Sequence, residues 1–148
     1  DGGKCEVGVE STIVDVTGKD VFLLRAGGVA KEDIEAFLHE QVIVSHGDPN
    51  KPSSPGQMLR HYAPEHRFRI NVEEPDDGEF YIGFGYSERA DLNLSVNGDL
   101  HEAAANLFAY MRLADDMAGE KGIAIAPIPE EGLGLAINDR IKRASYAK

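Results

Sequence analysis

Apolar and polar positions alternate along the N-terminal part of the chain in the way that is typical of β-strands. β-Branched residues are frequent over 7–16, a turn-like segment follows at 17–20, and a second apolar run occupies 21–24. Such side chains suit a pleated, partly buried surface, so this pattern predicts a β-hairpin over 12–24. Because an isolated hairpin is only marginally stable in water, we expect it to belong to a larger sheet.

The spacing becomes helical after a pair of glycines. Ile34, Phe37 and Leu38 recur at the interval of an amphipathic helix, which predicts a short helix over about 30–39. Residues 45–64 are then rich in Gly, Pro, Ser and Asn, a composition that opposes regular structure. A structureless loop of this length is uncommon inside a compact domain, so we expect a domain boundary in this segment.

The remainder of the chain alternates between strand and helix patterns. Apolar runs predict strands at 68–72, 80–84, 92–94 and 122–126. Helical patterns lie between and after the last two of these runs. Strands that alternate with helices favour a mostly parallel sheet, so the expected fold class is α/β.

Two helices are predicted in this part of the chain. Asp99 precedes the first helix and Glu102 follows three residues later, which is the pattern of a capping box. The buried face of this helix is predicted to carry Leu100, Ala104, Leu107, Phe108 and Met111. The last helix is predicted to carry an apolar stripe made of Ile137, Ile141 and Ala144.

Charge and composition argue against several classes of function for this chain. The 148 residues include 26 acidic and 15 basic side chains, for a formal net charge of −11. This balance argues against direct nucleic-acid binding, although Arg140, Lys142 and Arg143 could form a local basic face. No apolar stretch approaches the ~20 residues of a membrane helix, so no membrane partner is expected. The single cysteine, Cys5, favours a reducing, cytoplasmic setting.

Several familiar motifs are missing or incomplete. No P-loop sequence occurs in the chain. Gly83 and Gly85 lack the third glycine of a dinucleotide-binding fingerprint, because Glu88 stands at that position. His61 and His66 have no companion cysteine, so no transition-metal site is expected.

Two clusters of polar residues remain as candidate sites. In the first, two hydroxyls and a guanidinium are predicted near one sheet edge, from Ser11, Thr12 and Arg25. Arg suits bidentate binding of phosphate or carboxylate. The same residues fit ordinary strand positions and a solvated terminal charge equally well.

The second cluster is the proline-bounded loop at 53–64, which contains Arg60, His61 and Tyr62. Such a loop could close over a ligand, as lids do. Its composition slightly favours a different interpretation, a linker packed on a neighbouring domain.

A resemblance to a known family connects these clusters. The sequence blocks that carry it follow one another along the whole chain: DGG, GVESTIVD, LLRAGG, SPG, RHYAP, LNLS, NGDL and GLGLAINDR. The series resembles the threonylcarbamoyl-AMP synthase family, and more narrowly its long, two-domain Sua-type members rather than the single-domain YrdC type. The resemblance implies that residues 1–29 are the last strands of a YrdC-like catalytic domain. It implies a helix and linker over 30–66 and a small Rossmann-like accessory domain over 67–148.

The resemblance also implies a reaction and its participants. The family condenses threonine and bicarbonate with ATP, releases pyrophosphate and forms threonylcarbamoyl-AMP. Partner proteins then transfer the threonylcarbamoyl group to an adenosine of tRNA. By the family motifs, Ser11 would contact threonine, Arg25 would hold an ATP phosphate, and Tyr62 with His61 would close the linker over the nucleotide. ATP with Mg²⁺ would be bound mainly by the catalytic domain, and no catalytic residue is assigned to this chain.

The sequence departs from the family pattern in ways that affect this expectation. Ala26 stands where the family usually has proline, and the family's Lys-x-Arg motif does not occur. We therefore expect most of the catalytic domain to lie upstream of Asp1. We also expect the isolated chain to make no threonylcarbamoyl-AMP. The alternative is a non-catalytic α/β module whose role is interaction or regulation.

Overall fold

Two β-sheets and three helices make up the part of the chain that the structure, a computed structural model, describes: residues 8–45 and 66–146. We call the first range the N-terminal unit and the second the C-terminal unit. The N-terminal unit contains a three-stranded sheet, and the C-terminal unit contains a four-stranded sheet. This architecture confirms the α/β fold class.

In the N-terminal unit, a hairpin is extended by one crossover. Strands β1 (Ile13–Asp15) and β2 (Val21–Arg25) run antiparallel, which confirms the predicted hairpin. Helix α1 (Lys31–Leu38) then returns the chain to β3 (Val42–Val44), which pairs with β2 in parallel. The additional strand that the hairpin needs for stability is therefore supplied in part by β3.

The hydrophobic core of the N-terminal unit is small. Its buried hydrophobic residues, among those described, are Val21, Leu23 and Val42. Ile34 and Leu38 of α1 pack against them. Phe37, the third residue of the helical pattern, is 83% exposed, so α1 covers the sheet with only part of its apolar stripe.

The C-terminal unit is built on a parallel sheet. Its strands are β4 (Phe68–Arg69), β5 (Glu79–Gly83), β6 (Leu92–Asn93) and β7 (Gly122–Ile125). They lie in the order β4-β7-β5-β6, and every pairing between them is parallel. The predicted, mostly parallel sheet is thus confirmed.

The first strand of this sheet is shorter than the apolar run at 68–72 suggested. Asn71 adopts a left-handed backbone conformation with φ of 56°, which an extended strand does not tolerate. The strand therefore ends at Arg69. The Val72 N–H still donates a hydrogen bond to the Ile125 carbonyl at 2.9 Å, so the chain stays beside β7 after the interruption.

Helices α2 (Leu100–Met117) and α3 (Gly134–Ser145) form one core with the sheet. The predicted stripes are largely confirmed, since the following side chains are buried together with those of β5 and β7: Ala104, Leu107, Met111, Ile137, Ile141 and Ala144. None of the helices in the described ranges is long and apolar enough to cross a membrane.

Two details of α2 differ from the sequence prediction. Asp99 caps the helix by accepting from two backbone N–H groups, but its own N–H donates to Ser95 Oγ at 2.9 Å. The serine thus takes the role that the capping-box pattern assigned to Glu102.

Phe108 of α2 was predicted on the buried face and is 44% exposed, because it lies at the edge of the stripe. There the guanidinium carbons of Arg112 and Arg140 lie 5.8 and 5.9 Å from its ring centroid.

The N-terminal unit packs against α2, α3 and the turn that precedes α3. The Gly132 N–H donates to Glu32 Oε1 at 3.3 Å. Gly8 lies so close to α2 that an added Cβ would stand 2.1 Å from the Ala104 carbonyl oxygen. This packing places the segment 8–12 and the end of β2 beside α3.

Candidate functional site

The hairpin brings together the two residues predicted to bind substrate. Ile13 of β1 pairs with Arg25 of β2, so Ser11 lies just beyond the end of the pairing. Arg25 Nε donates to the Ser11 carbonyl at 3.0 Å, and Arg25 Nη2 donates to Ser11 Oγ at 3.3 Å. The predicted proximity of hydroxyl and guanidinium is therefore present. Their binding of threonine and of an ATP phosphate stays a prediction.

Exposure differs between the two residues in a way that suits a binding pair. Ser11 is exposed, whereas the side chain of Arg25 is only 11% exposed. A guanidinium held at the margin of solvent keeps its charge in a medium of reduced dielectric, where its attraction for an anion is stronger than in water. The exposed hydroxyl beside it provides both a donor and an acceptor.

Thr12, the second hydroxyl of the predicted cluster, has a structural role instead. Its Oγ1 accepts from the Val29 N–H at 3.0 Å and donates to the Val29 carbonyl at 2.7 Å. The Gly28 N–H donates to the Glu10 carbonyl at 2.8 Å. These bonds fasten the loop that follows β2 onto the segment that carries Ser11.

Gly27 is required for this close approach. A Cβ at position 27 would lie 2.3 Å from backbone atoms of Glu10, Ser11 and Thr12. Backbone atoms cannot move aside as the end of a flexible side chain can, so only glycine fits. Gly27 of the LLRAGG block thus allows the loop after β2 to lie directly against the segment 10–12.

Glu10 connects the candidate site to α3. Its Oε2 lies 2.6 Å from Arg143 Nη2 and 4.0 Å from Arg25 Nε, and its Oε1 lies 3.8 Å from Arg140 Nη1. Arg143 also pairs with Asp139, one turn earlier on α3, at 3.1 Å. One carboxylate of the N-terminal unit therefore faces three guanidinium groups, two of which belong to the C-terminal unit.

The local basic face suggested by the sequence at 140–143 is largely wrong. Arg143 is 4% exposed, and the side chain of Arg140 is 14% exposed. Both point toward Glu10 rather than into solvent, because α3 packs this side against the N-terminal unit. Sequence reasoning missed Glu10 and Arg143 as a pair, since 133 positions separate them and no local spacing connects them.

The charges of the cluster shift its two carboxyl groups in opposite directions. Burial alone would raise the pKa of Glu10. The hydrogen bond and charge of Arg143, together with the charges of Arg25 and Arg140, bring that pKa below its usual 4.5. Burial raises the pKa of Asp139 above 3.8, and the charge of Glu10 adds to this, while Arg143 only partly offsets it.

A cleft of about 320 Å³ opens beside Arg25, between the C-terminal ends of β2 and β3 and the side of α3. Its polar lining includes Arg25, Ser45, Glu130, Asp139 and Lys142. The volume is at the lower end of what small-molecule sites offer, and the lining presents charges of both signs. Arg25 lines this cleft, whereas Ser11 does not.

The described residues offer partners for phosphate rather than ligands for a metal. Within 8–45 and 66–146, no group of three or more His, Cys, Asp or Glu side chains is placed to hold an ion. Both ring nitrogens of His66 already lie 2.6 Å from acceptors, Asp115 Oδ1 and the Gly119 carbonyl. The guanidinium of Arg25 next to the Ser11 hydroxyl suits an anionic oxygen.

The second predicted cluster lies outside the described residues. His61 and Tyr62, predicted to close over a nucleotide, belong to the range 46–65. Their roles stay predictions.

Known proteins are similar to this chain over nearly its whole length. The chain is 34% identical to the threonylcarbamoyl-AMP synthase of Pyrococcus abyssi and 33% identical to that of Bacillus subtilis. Both matches cover 98% of this chain but only 48% and 47% of the relatives. The fold is similar to the crystal structure of P. abyssi Sua5 complexed with L-threonine, with a TM-score of 0.79 and 32% identity over 99% of this chain and 48% of that chain.

The chain therefore spans about half the length of these relatives. The family model described as threonylcarbamoyl-AMP synthase, C-terminal domain, matches residues 29–145. Because this match includes most of the chain, the resemblance seen in the sequence blocks is confirmed. The chain belongs to the family of threonylcarbamoyl-AMP synthase C-terminal domains.

Proposed function

We propose that this chain is the C-terminal portion of an enzyme that makes threonylcarbamoyl-AMP from threonine, bicarbonate and ATP. The product would pass to partner proteins that modify tRNA. The observation that carries the proposal is the contact of Arg25 with Ser11, in a chain whose relatives are threonylcarbamoyl-AMP synthases of about twice its length. The chain would contribute this pair, the linker and the accessory domain to a site completed by the remaining half.

The two residues have distinct roles in this proposal. Overall, the reaction joins the threonine nitrogen to the bicarbonate carbon with loss of water, and it joins an oxygen of the resulting carbamate to the α-phosphate of ATP as pyrophosphate leaves. Negative charge therefore accumulates on phosphate oxygens. Arg25 would hold one of these oxygens by charge-assisted hydrogen bonds. The Ser11 hydroxyl, oriented by Arg25 Nη2, would contact threonine. Mg²⁺ bound with ATP would neutralise further phosphate charge.

A second candidate function is supported by the same cluster. A chain of contacts runs from Ser11 to Arg25, from Arg25 to Glu10 and from Glu10 to Arg143, as in a purely structural network between two units. In that case the chain would be a non-catalytic α/β module for interaction or regulation, and the site residues would only maintain its shape.

Pyrophosphate release by the full-length protein that carries this sequence distinguishes the two functions. We expect release that depends on both threonine and bicarbonate, and we expect Arg25→Ala to lower kcat/KM by about a hundredfold or more. Tyr62→Ala should also lower it. The matched control is Arg89→Ala, because Arg89 is an exposed arginine of the C-terminal unit that lies 3.4 Å from Asp77.

Two results would contradict the proposed function. One is an Arg25→Ala variant as active as the Arg89→Ala control. The other is an intact mass from source cells that equals the 16.1 kDa of this chain, because half of the site would then be lacking. The isolated chain is expected to release no pyrophosphate.

A further inference from the structure

The accessory unit reaches the candidate substrate residues through one carboxylate. Glu10 directly precedes Ser11, and its Oε2 forms its short contact with Arg143 of α3 at 2.6 Å. The same oxygen stands 4.0 Å from Arg25 Nε, outside hydrogen-bonding distance. Glu10 is thus placed between the arginine proposed to bind an anionic substrate and an arginine contributed by the other unit.

Arg143 is itself held in place for this contact. It is 4% exposed, and Asp139 lies 3.1 Å from its Nη2 across one turn of α3. Arg140, one turn from the same position, lies 3.8 Å from Glu10 and has its guanidinium over the ring of Phe108. The side of α3 that faces Glu10 therefore presents two fixed cations, and the nearer is Arg143.

Charge competition follows from these distances. The Glu10 carboxylate is attracted by both Arg25 and Arg143, and the shorter contact determines where it rests. If Arg143 were neutral, the carboxylate would be shared between the two remaining guanidinium groups, that of Arg140 at 3.8 Å and that of Arg25 at 4.0 Å. A carboxylate that moves closer to Arg25 would offset more of the charge that attracts an anionic substrate.

We propose that Arg143 is a positioning residue for the Ser11–Arg25 pair, because it holds the Glu10 carboxylate on α3 and so keeps it from competing with an anionic substrate for Arg25. This inference rests on the proposed function. It gives the accessory unit a specific part in substrate binding: α3 controls the charge of a site that lies on the other unit. Withdrawal of α3 would release Glu10 toward Arg25.

Steady-state pyrophosphate release by the full-length protein tests this inference. We expect Arg143→Gln to raise the KM for ATP by about tenfold, with a smaller change in kcat. The double variant Glu10→Gln with Arg143→Gln removes the competing carboxylate as well, so its KM should return to within about threefold of the original value. Arg143→Lys, which keeps the charge, should restore part of the affinity.

A structural role for Arg143 would give a different pattern. If the ion pair only joins the two units, the double variant should be as impaired as Arg143→Gln, and that result would overturn the inference. A wild-type KM in Arg143→Gln would overturn it too. Glu10→Gln alone covers the case in which Arg143→Gln does not fold: competition predicts a lower KM for ATP, by about twofold or more, whereas a lost structural contact predicts a higher one.

The Arg25→Ala variant separates failure of this inference from failure of the proposed function. If Arg25→Ala keeps full activity, the proposed function fails, whatever the Arg143 variants do. If Arg25→Ala loses activity while the Glu10 and Arg143 variants show no competition, the proposed function stands and the positioning role of Arg143 is refuted.

Discussion

The two units of the chain maintain their folds by different means. The C-terminal unit has a continuous core whose largest fully buried hydrophobic side chains are Ile82, Leu94, Leu107, Ile123, Ile125 and Ile137. The N-terminal unit has three buried hydrophobic residues among those described, and it leaves Val16 and Phe37 more than half exposed. Both described candidate binding residues, Ser11 and Arg25, belong to the N-terminal unit.

Because the N-terminal unit has the smaller core, other contacts must maintain the shape of the candidate site. Within residues 8–45, the three buried side chains and the partly buried ones around them bury too little apolar area to order a sheet and a helix by themselves. Close backbone contacts at Gly27 and charge pairing of Glu10 with α3 supply what the core lacks. The unit that carries the site is therefore stabilised by the unit that carries the core.

The largest expected effect is on the core of the C-terminal unit. Leu107→Ala should lower the free energy of unfolding by about 2–5 kcal/mol, because it leaves a cavity where Leu107 is fully buried. Leu113→Ala on the same helix is the control, since Leu113 is 41% exposed and should cost about 0.5 kcal/mol or less. Urea unfolding measures both. Equal costs would contradict the assignment of the core.

Gly27→Ala should break the N-terminal unit selectively. The added Cβ would overlap backbone atoms at 2.3 Å, at a cost of about 1–3 kcal/mol or more. We expect faster hydrogen exchange for the amides of β2, while the amides of β7 keep their protection. Gly18→Ala is the matched control, because nothing lies within 4 Å of a Cβ there. Unchanged protection of β2 would show that the close approach is not required.

Glu10→Gln should weaken the interface between the two units and change how the free energy of unfolding depends on pH. Loss of the charged hydrogen bond to Arg143 should cost about 1–2 kcal/mol at neutral pH. The folded-state pKa of Glu10 is lowered, so its contribution is complete above about pH 4.5 and is lost as the pH falls through the folded-state pKa.

The pH dependence provides the measurement. Between pH 7 and pH 3, the original chain should lose more unfolding free energy than Glu10→Gln does. The raised pKa of Asp139 acts in the opposite direction, because that group takes up its proton more readily in the folded state. If the unfolding free energies of the two proteins fall in parallel with pH, Glu10 does not stabilise the interface between the units.

The smallest expected effect concerns the start of α2. Asp99→Ala removes the acceptor for two backbone N–H groups and should cost about 1 kcal/mol. Glu102→Ala should cost about 0.5 kcal/mol or less, since Ser95 Oγ and not Glu102 accepts from the Asp99 N–H. Thermal unfolding of the two variants compares them. A larger loss for Glu102→Ala than for Asp99→Ala would restore the capping box that the sequence suggested.

The sequence predicted the secondary structure of the C-terminal unit better than the contacts at the interface between the units. Strand and helix periods are local, so β5, β7, α2 and α3 could be located from apolar spacing. Asn71 was not identified as the residue that interrupts the apolar run after β4, because a left-handed residue leaves little trace in a hydrophobic pattern. Ser95 was missed as a capping partner for a similar reason, since it lies four residues before Asp99 and outside the motif.

Local sequence patterns were limited in the same way at the candidate site. Ser11 and Arg25 could be paired because a hairpin brings residues on its two strands together. Glu10 and Arg143 could not, because their contact depends on how two units pack, which neither periodicity nor local spacing encodes. The sequence accordingly allowed a basic face at Arg140, Lys142 and Arg143, whereas packing turns Arg140 and Arg143 toward a carboxylate.

Calorimetric titration of threonine, in the presence of ATP and Mg²⁺, tests the central claim that Ser11 and Arg25 are part of a site shared with the other half of the enzyme. We predict saturable binding to the full-length protein, a loss of threonine affinity of about tenfold in Ser11→Ala, and no binding to the 148-residue chain alone. Saturable binding of threonine by the isolated chain would contradict the claim. So would unchanged threonine affinity in Ser11→Ala.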